Sequence, residues 1–286
     1  MSVVARLRGV RKQRGDFLLD IPELELGSAR IHALLGPNGA GKSTLCSLLA
    51  GTSQVDAGEI DFSGGAGGSV GYAPQDTGLN LTMTGIENLQ FFAALAGFPS
   101  RSFAEVTDGL IDGLRLEPFL DKRCRDLSVG QQRQVHVATG LIGPPRLVIL
   151  DEPTSFMDIH ARNRLYLYLD KLVKEQEVAV LYLTHEIREV DRLASECIVI
   201  NDGTFMFSGR LSDLSESSDD WLVVGPPELT EHAGEVTWRE HEDQIVVRTT
   251  EADALTLLRD YPTPGELRLS PPGLESEYVW KISRAR

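Results

Sequence analysis

The sequence predicts an α/β protein: a mostly parallel sheet with an antiparallel β subdomain, a helical subdomain, and a small α+β appendage at the C-terminal end. Three observations carry that expectation. The runs Ile31-His32-Ala33-Leu34-Leu35, Leu147-Val148-Ile149-Leu150 and Val178-Ala179-Val180-Leu181-Tyr182-Leu183 are almost wholly apolar, as in strands buried on both faces. Between them lie stretches with helical periodicity, the crossovers that parallel strands require. From residue 216 onward the composition changes, with fifteen acidic against seven basic residues and short alternating runs.

Residues 1–30 alternate charged and apolar positions around turns, as in Val10-Arg11-Lys12, and predict short antiparallel strands. The strand at 31–35 ends in a glycine-rich turn at Gly36, and a helix should follow from Lys42 to about Ala50, stopped by Gly51. Gly64-Gly65-Ala66-Gly67-Gly68 is a turn between strands, and an extended pattern resumes over 69–73. Three capping boxes then open helices: Thr84 with Glu87, Ser102 with Glu105, and Ser128 with Gln131. A long helix over about 159–175 separates the last two buried strands. Ser212 to Asp220 is polar and acidic and reads as a linker. Beyond it, the run 244–249 and a helix around 252–259 form the appendage. The expected division is 1–212, with a helical subdomain at about 76–145, followed by an acidic accessory domain at 213–286.

The 286 residues are enough to bury a large core, and 42% hydrophobic with 24% charged residues is ordinary for a globular protein. A net charge of -14 argues against nucleic acid held through its phosphates. No apolar run approaches the roughly 20 residues of a membrane-spanning helix. The basic N-terminal residues are not followed by the apolar stretch of a secretory signal. Cys46, Cys124 and Cys197 are widely spaced and read as buried thiols in a reducing compartment. A cytoplasmic protein is expected, so work at a membrane would need another chain to supply the span.

Two motifs carry chemistry. Gly36-Pro37-Asn38-Gly39-Ala40-Gly41-Lys42-Ser43-Thr44 fits a phosphate loop, whose glycines let backbone N–H groups converge on phosphate oxygens at a helix N-terminus. Lys42 is expected to reach the β- and γ-phosphates and the Ser43 hydroxyl to hold Mg²⁺. At the end of the strand 147–150 stand Asp151, placed to hold Mg²⁺ through its waters, and Glu152, placed to polarise an attacking water as general base. Two adjacent carboxylates after four apolar residues are poorly explained as a solvated strand end.

Leu127-Ser128-Val129-Gly130-Gln131 resembles the signature of the ATP-binding-cassette (ABC) family, with valine where that family has glycine. The resemblance, covering about residues 1–212, implies a P-loop NTPase fold that binds and hydrolyses MgATP. It implies that Ser128, Gly130 and Gln131 close on the γ-phosphate held by a second copy, so that two copies form a homodimer. It further implies that Gln75 contacts Mg²⁺, that Asp158 crosses the dimer interface and that His185 contacts the γ-phosphate. The family stacks adenine on an aromatic residue near the position of Arg14 here, leaving Arg14 or Phe17 as the stacking side chain. The segments 74–89 and 270–278 are similar to the drug and antibiotic exporter branch. That likeness implies a multi-span permease in another chain and a place on the inner face of the cell membrane. A soluble ATPase that assembles or remodels a protein complex is the alternative.

Overall fold

A computed structural model describes residues 2–63, 70–143, 145–184, 186–215, 221–226, 228–229, 237–241, 244–261 and 267–270. The chain divides into two compact units, Met1–Ser208 and Gly209–Arg286.

The strands of the first unit are β1 (Val3–Arg14), β2 (Phe17–Gly27), β3 (Arg30–Leu35), β4 (Ala57–Phe62), β5 (Val70–Ala73), β6 (Leu147–Asp151), β7 (Ala179–Leu183), β8 (Glu196–Asn201) and β9 (Thr204–Arg210). They make one sheet in the order β4-β1-β2-β9-β8-β3-β7-β6-β5. From β8 to β5 every neighbouring pair is parallel, with Leu34 opposite both Ile198 and Leu183. β1 pairs antiparallel with β2 and with β4. The apolar runs of β6 and β7 are buried at every position, because both faces of the sheet are covered. Alternation then sorts their side chains. Leu147, Ile149, Ala179, Leu181 and Leu183 join a core with β1, β2 and helix α1 (Lys42–Leu49). Val148, Leu150, Val180 and Tyr182 face the opposite core, against the helices. Each fully buried leucine or isoleucine contributes about 1.5–3 kcal/mol.

Those helices are α2 (Gly85–Leu95), α3 (Phe103–Leu114), α4 (Glu117–Leu120), α5 (Val129–Thr139), α6 (Ile159–Gln176) and α7 (Ile187–Leu193). The capping boxes at Thr84 and Ser128 are both formed, each with reciprocal side-chain-to-backbone hydrogen bonds. The one expected at Ser102 is not. Ser102 ends a 3-10 turn, and its helical φ and ψ of -95° and 0° deny its hydroxyl the extended geometry a cap needs.

In the second unit, α8 (Leu211–Ser215) occupies the start of the stretch read as a linker, which is therefore helical there. β10 (Trp221–Gly225), β11 (Thr237–His241), β12 (Gln244–Thr249) and β13 (Arg268–Ser270) form an antiparallel sheet in the order β11-β12-β10-β13. Helix α9 (Glu251–Asp260) starts where Thr250 Oγ1 accepts from the Asp253 N–H at 3.3 Å. Val223, Leu229, Val247, Ala254 and Tyr261 make a separate small core. The glycine turn at 64–68 and the exporter-like tail beyond Ser270 lie outside the described residues.

Candidate active site

β3 ends beside β7 and β8, and the chain turns through 36–41 into α1 at the carboxyl end of the parallel strands, where such sheets bind ligands. Gly39 and Gly41 take φ of 82° and 106°, which a side chain would resist. A Cβ on Gly36 would lie 2.3 Å from the Ile200 carbonyl oxygen, so the loop hugs β8. No side chain caps α1 and no acidic residue stands in its first turn, leaving its N–H groups to an anion. The Lys42 ammonium donates to the Gly36 and Pro37 carbonyls at 2.6 and 3.0 Å. A cavity of about 300 Å³ lies over the loop, lined by residues 38–44, Phe17, Gln75, Asp151 and Glu152. Four separate segments of the sequence thus meet around one space.

Asp151 is only 5% exposed. Burial raises its carboxyl pKa first, and Glu152 beside it adds to this; Lys42, Arg133 and a hydrogen bond from Ser43 pull the other way. Lys42 is lowered by burial, against the pull of Asp151 and Glu152. A divalent cation would offset the buried carboxylate, and the nearby donors (the Ser43 hydroxyl, the Gln75 amide, the Asp151 carboxylate) are hard oxygens of the kind Mg²⁺ takes. The residues fit that ion. Glu152 sits at φ 47°, a left-handed conformation costing on the order of 1–2 kcal/mol in a non-glycine residue. Its N–H donates to Leu183 at 2.9 Å, and its Oε2 accepts from Gln75 Nε2 and Ser155 Oγ, both at 3.4 Å. The bend turns the second carboxylate away from the β6 direction that the first one follows.

Ser128, Gly130, Gln131 and Asp158 do not line the phosphate cavity. Ser128 and Gln131 are engaged in the α5 capping box. Gly130 allows that helix to start against the next loop, since a Cβ there would lie 2.5 Å from the Phe156 carbonyl oxygen. Asp158 caps α6, accepting from the His160 and Ala161 N–H groups at 2.8 and 3.0 Å. His185 lies outside the described residues. Of the two stacking candidates, Phe17 borders the phosphate cavity, whereas Arg14 donates to Ser47 Oγ at 3.2 Å.

Two buried polar groups went unread in the sequence. Glu189 on α7, 4% exposed, accepts from the hydroxyls of Thr154, Tyr166 and Tyr182 at 2.7, 2.5 and 3.1 Å, so it ties α7 to the segment after Glu152. Arg133 on α5, 6% exposed, donates to main-chain carbonyls on either side of the cavity and to Nδ1 of His136. Its neighbours Gln131, Gln132 and Gln134 are all polar, so nothing in the run marks one of them as interior.

His136 has a consequence for stability. Burial, and then the Arg133 charge, push its pKa down to about 4. The unfolded chain titrates near 6.5. The native state therefore binds fewer protons in between, so stability is full above about 6.5, falls as the pH drops, and levels off below about 4. Between pH 7 and 5 the expected loss from this group is about 2 kcal/mol. Denaturant unfolding at both pH values, compared with His136→Leu, isolates it: the variant should lose less by that amount, and equal losses would refute the assignment.

A strand–loop–helix phosphate cradle beside a buried aspartate and a half-buried glutamate defines a phosphate-loop nucleotide hydrolase. Among known families, the model described as ABC transporter matches residues 19–155. The Nod factor export ATP-binding protein I of Cupriavidus metallidurans is 34% identical over 233 residues, covering 78% of this chain and 77% of that protein. Its counterpart in Sinorhizobium fredii is 32% identical over 97% of this chain and 85% of its own length. A solved ATP-binding subunit of an ABC transporter shares the fold, with a TM-score of 0.68 at 22% identity over 74% of this chain and 92% of that one. The chain belongs to the ABC transporter family, as an ATP-binding and ATP-hydrolysing subunit. Among the described residues, no helix is long and apolar enough to cross a membrane.

Proposed function

We propose that this chain drives a separate multi-span permease, as the exporter's motor on the inner face of the cell membrane, by MgATP-dependent closure of two copies. The observation that carries the reading is the separation of the two halves of the chemistry within one chain. Lys42, Asp151 and Glu152 surround the phosphate cavity, while the capped N-terminus of α5 does not line it. Ser128 at that helix start is exposed, and a helix start open to solvent is a place where another copy's nucleotide would seat. The Nod factor relatives, named for export, support the direction. A dimeric cassette among the solved structures supports the pairing.

In this reading the loop amides and Lys42 hold the phosphates of ATP. Ser43, Asp151 and Gln75 would hold Mg²⁺, which would supply charge neutralisation to the phosphates. Glu152 takes the proton of the attacking water, and His185 contacts the γ-phosphate. Ser128 and Gly130 reach the partner's γ-phosphate, and Asp158 lies at the interface. The net charge of -14 supports the absence of nucleic acid among its partners.

The test is an affinity pull-down of tagged Glu152→Gln protein in MgATP from detergent-solubilised membranes of the native host. Recovery of a multi-span protein, lost with an unrelated tagged control, is expected. Recovery of soluble proteins alone from a well-extracted membrane fraction would favour a soluble remodelling ATPase instead. A second expectation concerns the shared site. Ser128→Arg should bind MgATP within about threefold of wild type but lose at least tenfold in turnover, because the long side chain fills the space meant for the partner's phosphate. Wild-type turnover in that variant would refute the two-copy site.

A further inference from the structure

We propose that Arg133 is a positioning residue that joins α5, the Gln75 segment and the Glu152 segment into one mechanical unit, so that contact made at the start of α5 is felt at the hydrolytic residues. The inference rests on the two-copy reading above for the source of that contact. The joint itself is visible in one guanidinium.

Nη1 of Arg133 donates to the Pro74 carbonyl at 2.8 Å, to the Gln75 carbonyl at 3.0 Å and to Nδ1 of His136 at 3.0 Å. Nη2 donates to the carbonyls of Asp151 and, at 3.0 Å, of Glu152. Four main-chain acceptors therefore come from the two segments that bear Gln75, Asp151 and Glu152, and the fork that gathers them stands on a third. Nε of this buried cation has no partner among the described residues, so its hold rests on the two terminal nitrogens, and moving any of the three pieces alone would break a buried charge-assisted bond. Glu152 is the piece most in need of such a hold. Its left-handed backbone, at φ 47°, points its carbonyl in a direction the β6 strand would not enforce.

The other end of the lever is close. Gly130 lies one helical turn before Arg133, and it packs so tightly that a Cβ would sit 2.5 Å from the Phe156 carbonyl oxygen. The first turn of α5 thus touches the loop after Glu152 from one side, and Arg133 grips its start from the other. A phosphate of the neighbouring copy that seats on Ser128 and Gly130 shifts α5. The guanidinium carries the shift to Gln75 and Glu152. Hydrolysis in one copy then depends on nucleotide held by its neighbour, while the Lys42 ammonium that meets the copy's own nucleotide is held by the Gly36 and Pro37 carbonyls and not by Arg133.

The experiment compares Arg133→Lys and Arg133→Gln in the full chain, measuring MgATP bound per chain, KM, and kcat per bound nucleotide. Lysine keeps the charge but lacks the planar fork, so it should not rescue. Expected for both variants are nucleotide affinity and KM within about threefold of wild type and kcat lowered at least thirtyfold, the effect of misplacing a reacting group by a fraction of an ångström to an ångström. The double variant Glu152→Gln, Arg133→Lys should still form a dimer in MgATP. A kcat per bound nucleotide within threefold of wild type for Arg133→Lys would overturn the proposal, as would a fall in nucleotide affinity that matches the fall in kcat. If neither variant folds, His136→Leu decides: it removes one acceptor and leaves the guanidinium. It should lower kcat three- to tenfold at unchanged KM, and an unchanged kcat overturns the proposal. A Glu152→Gln chain that stays monomeric in MgATP would sink the two-copy reading and with it the source of the push. The placement of Gln75 and Glu152 by Arg133 would still stand or fall on kcat.

Discussion

Glu152→Gln is expected to keep MgATP bound and to lower turnover by about a hundred- to a thousandfold, the range for loss of a positioned general base. The substitution conserves shape, so the backbone that makes Glu152 special should survive it: φ 47°, with its N–H on the Leu183 carbonyl. What changes is charge. An amide cannot take a proton from water, and it also relieves the like-charge pressure on Asp151, whose carboxyl Glu152 helps to push up. The bound state should therefore be at least as stable as in wild type, and a shift to dimer in MgATP should be seen by light scattering coupled to gel filtration. Phosphate release per bound nucleotide is the deciding measurement. Turnover within threefold of wild type would mean that another group activates the water.

The fold was legible where one physical rule dominates. Runs such as 147–150 and 178–183 have no polar position to offer solvent, so they can only be interior strands, and β6 and β7 are buried throughout. The phosphate loop was legible because glycine spacing and the following helix are local properties. Ser102 shows the limit of local reading. Its spacing to Glu105 suits a capping box, but the 3-10 turn set by the preceding segment fixes its backbone in the wrong region. The linker read over 212–220 is helical at its start, up to Ser215, since a polar composition suits a helix as well as a linker. Arg133 and Glu189 were invisible for another reason. Their roles depend on acceptors and donors 18–59 and 7–35 residues away, and no periodicity encodes such partners. Gln75 and Asp158 were reached only through the family resemblance. Gln75 proves to stand 3.4 Å from Glu152, whereas Asp158 is occupied in capping α6.

Lys42→Ala is expected to weaken MgATP binding by more than tenfold and to bring turnover down at least a hundredfold, close to background, since both binding and the charge developing on the transferred phosphoryl group draw on this ammonium. The structure argues that the loss would be specific. Among the described residues, the Lys42 ammonium donates to the Gly36 and Pro37 carbonyls of its own loop, so deleting it breaks no hydrogen bond to a distant element. Burial lowers its pKa, which means that its charge is held against a desolvation cost; only a dense negative partner repays that in full. Asp151 and Glu152 repay part of it, and the triphosphate would repay the rest. Removing the cation also leaves two neighbouring carboxylates less compensated, so a modest fall in melting temperature should accompany the functional loss rather than cause it. Equilibrium binding of a fluorescent ATP analogue, with the melting curve taken in the same buffer, separates the two effects. A variant that melts like wild type and still turns over ATP at the wild-type rate would remove the phosphate loop from the mechanism, and the assignment of Ser43 and Asp151 to Mg²⁺ would go with it.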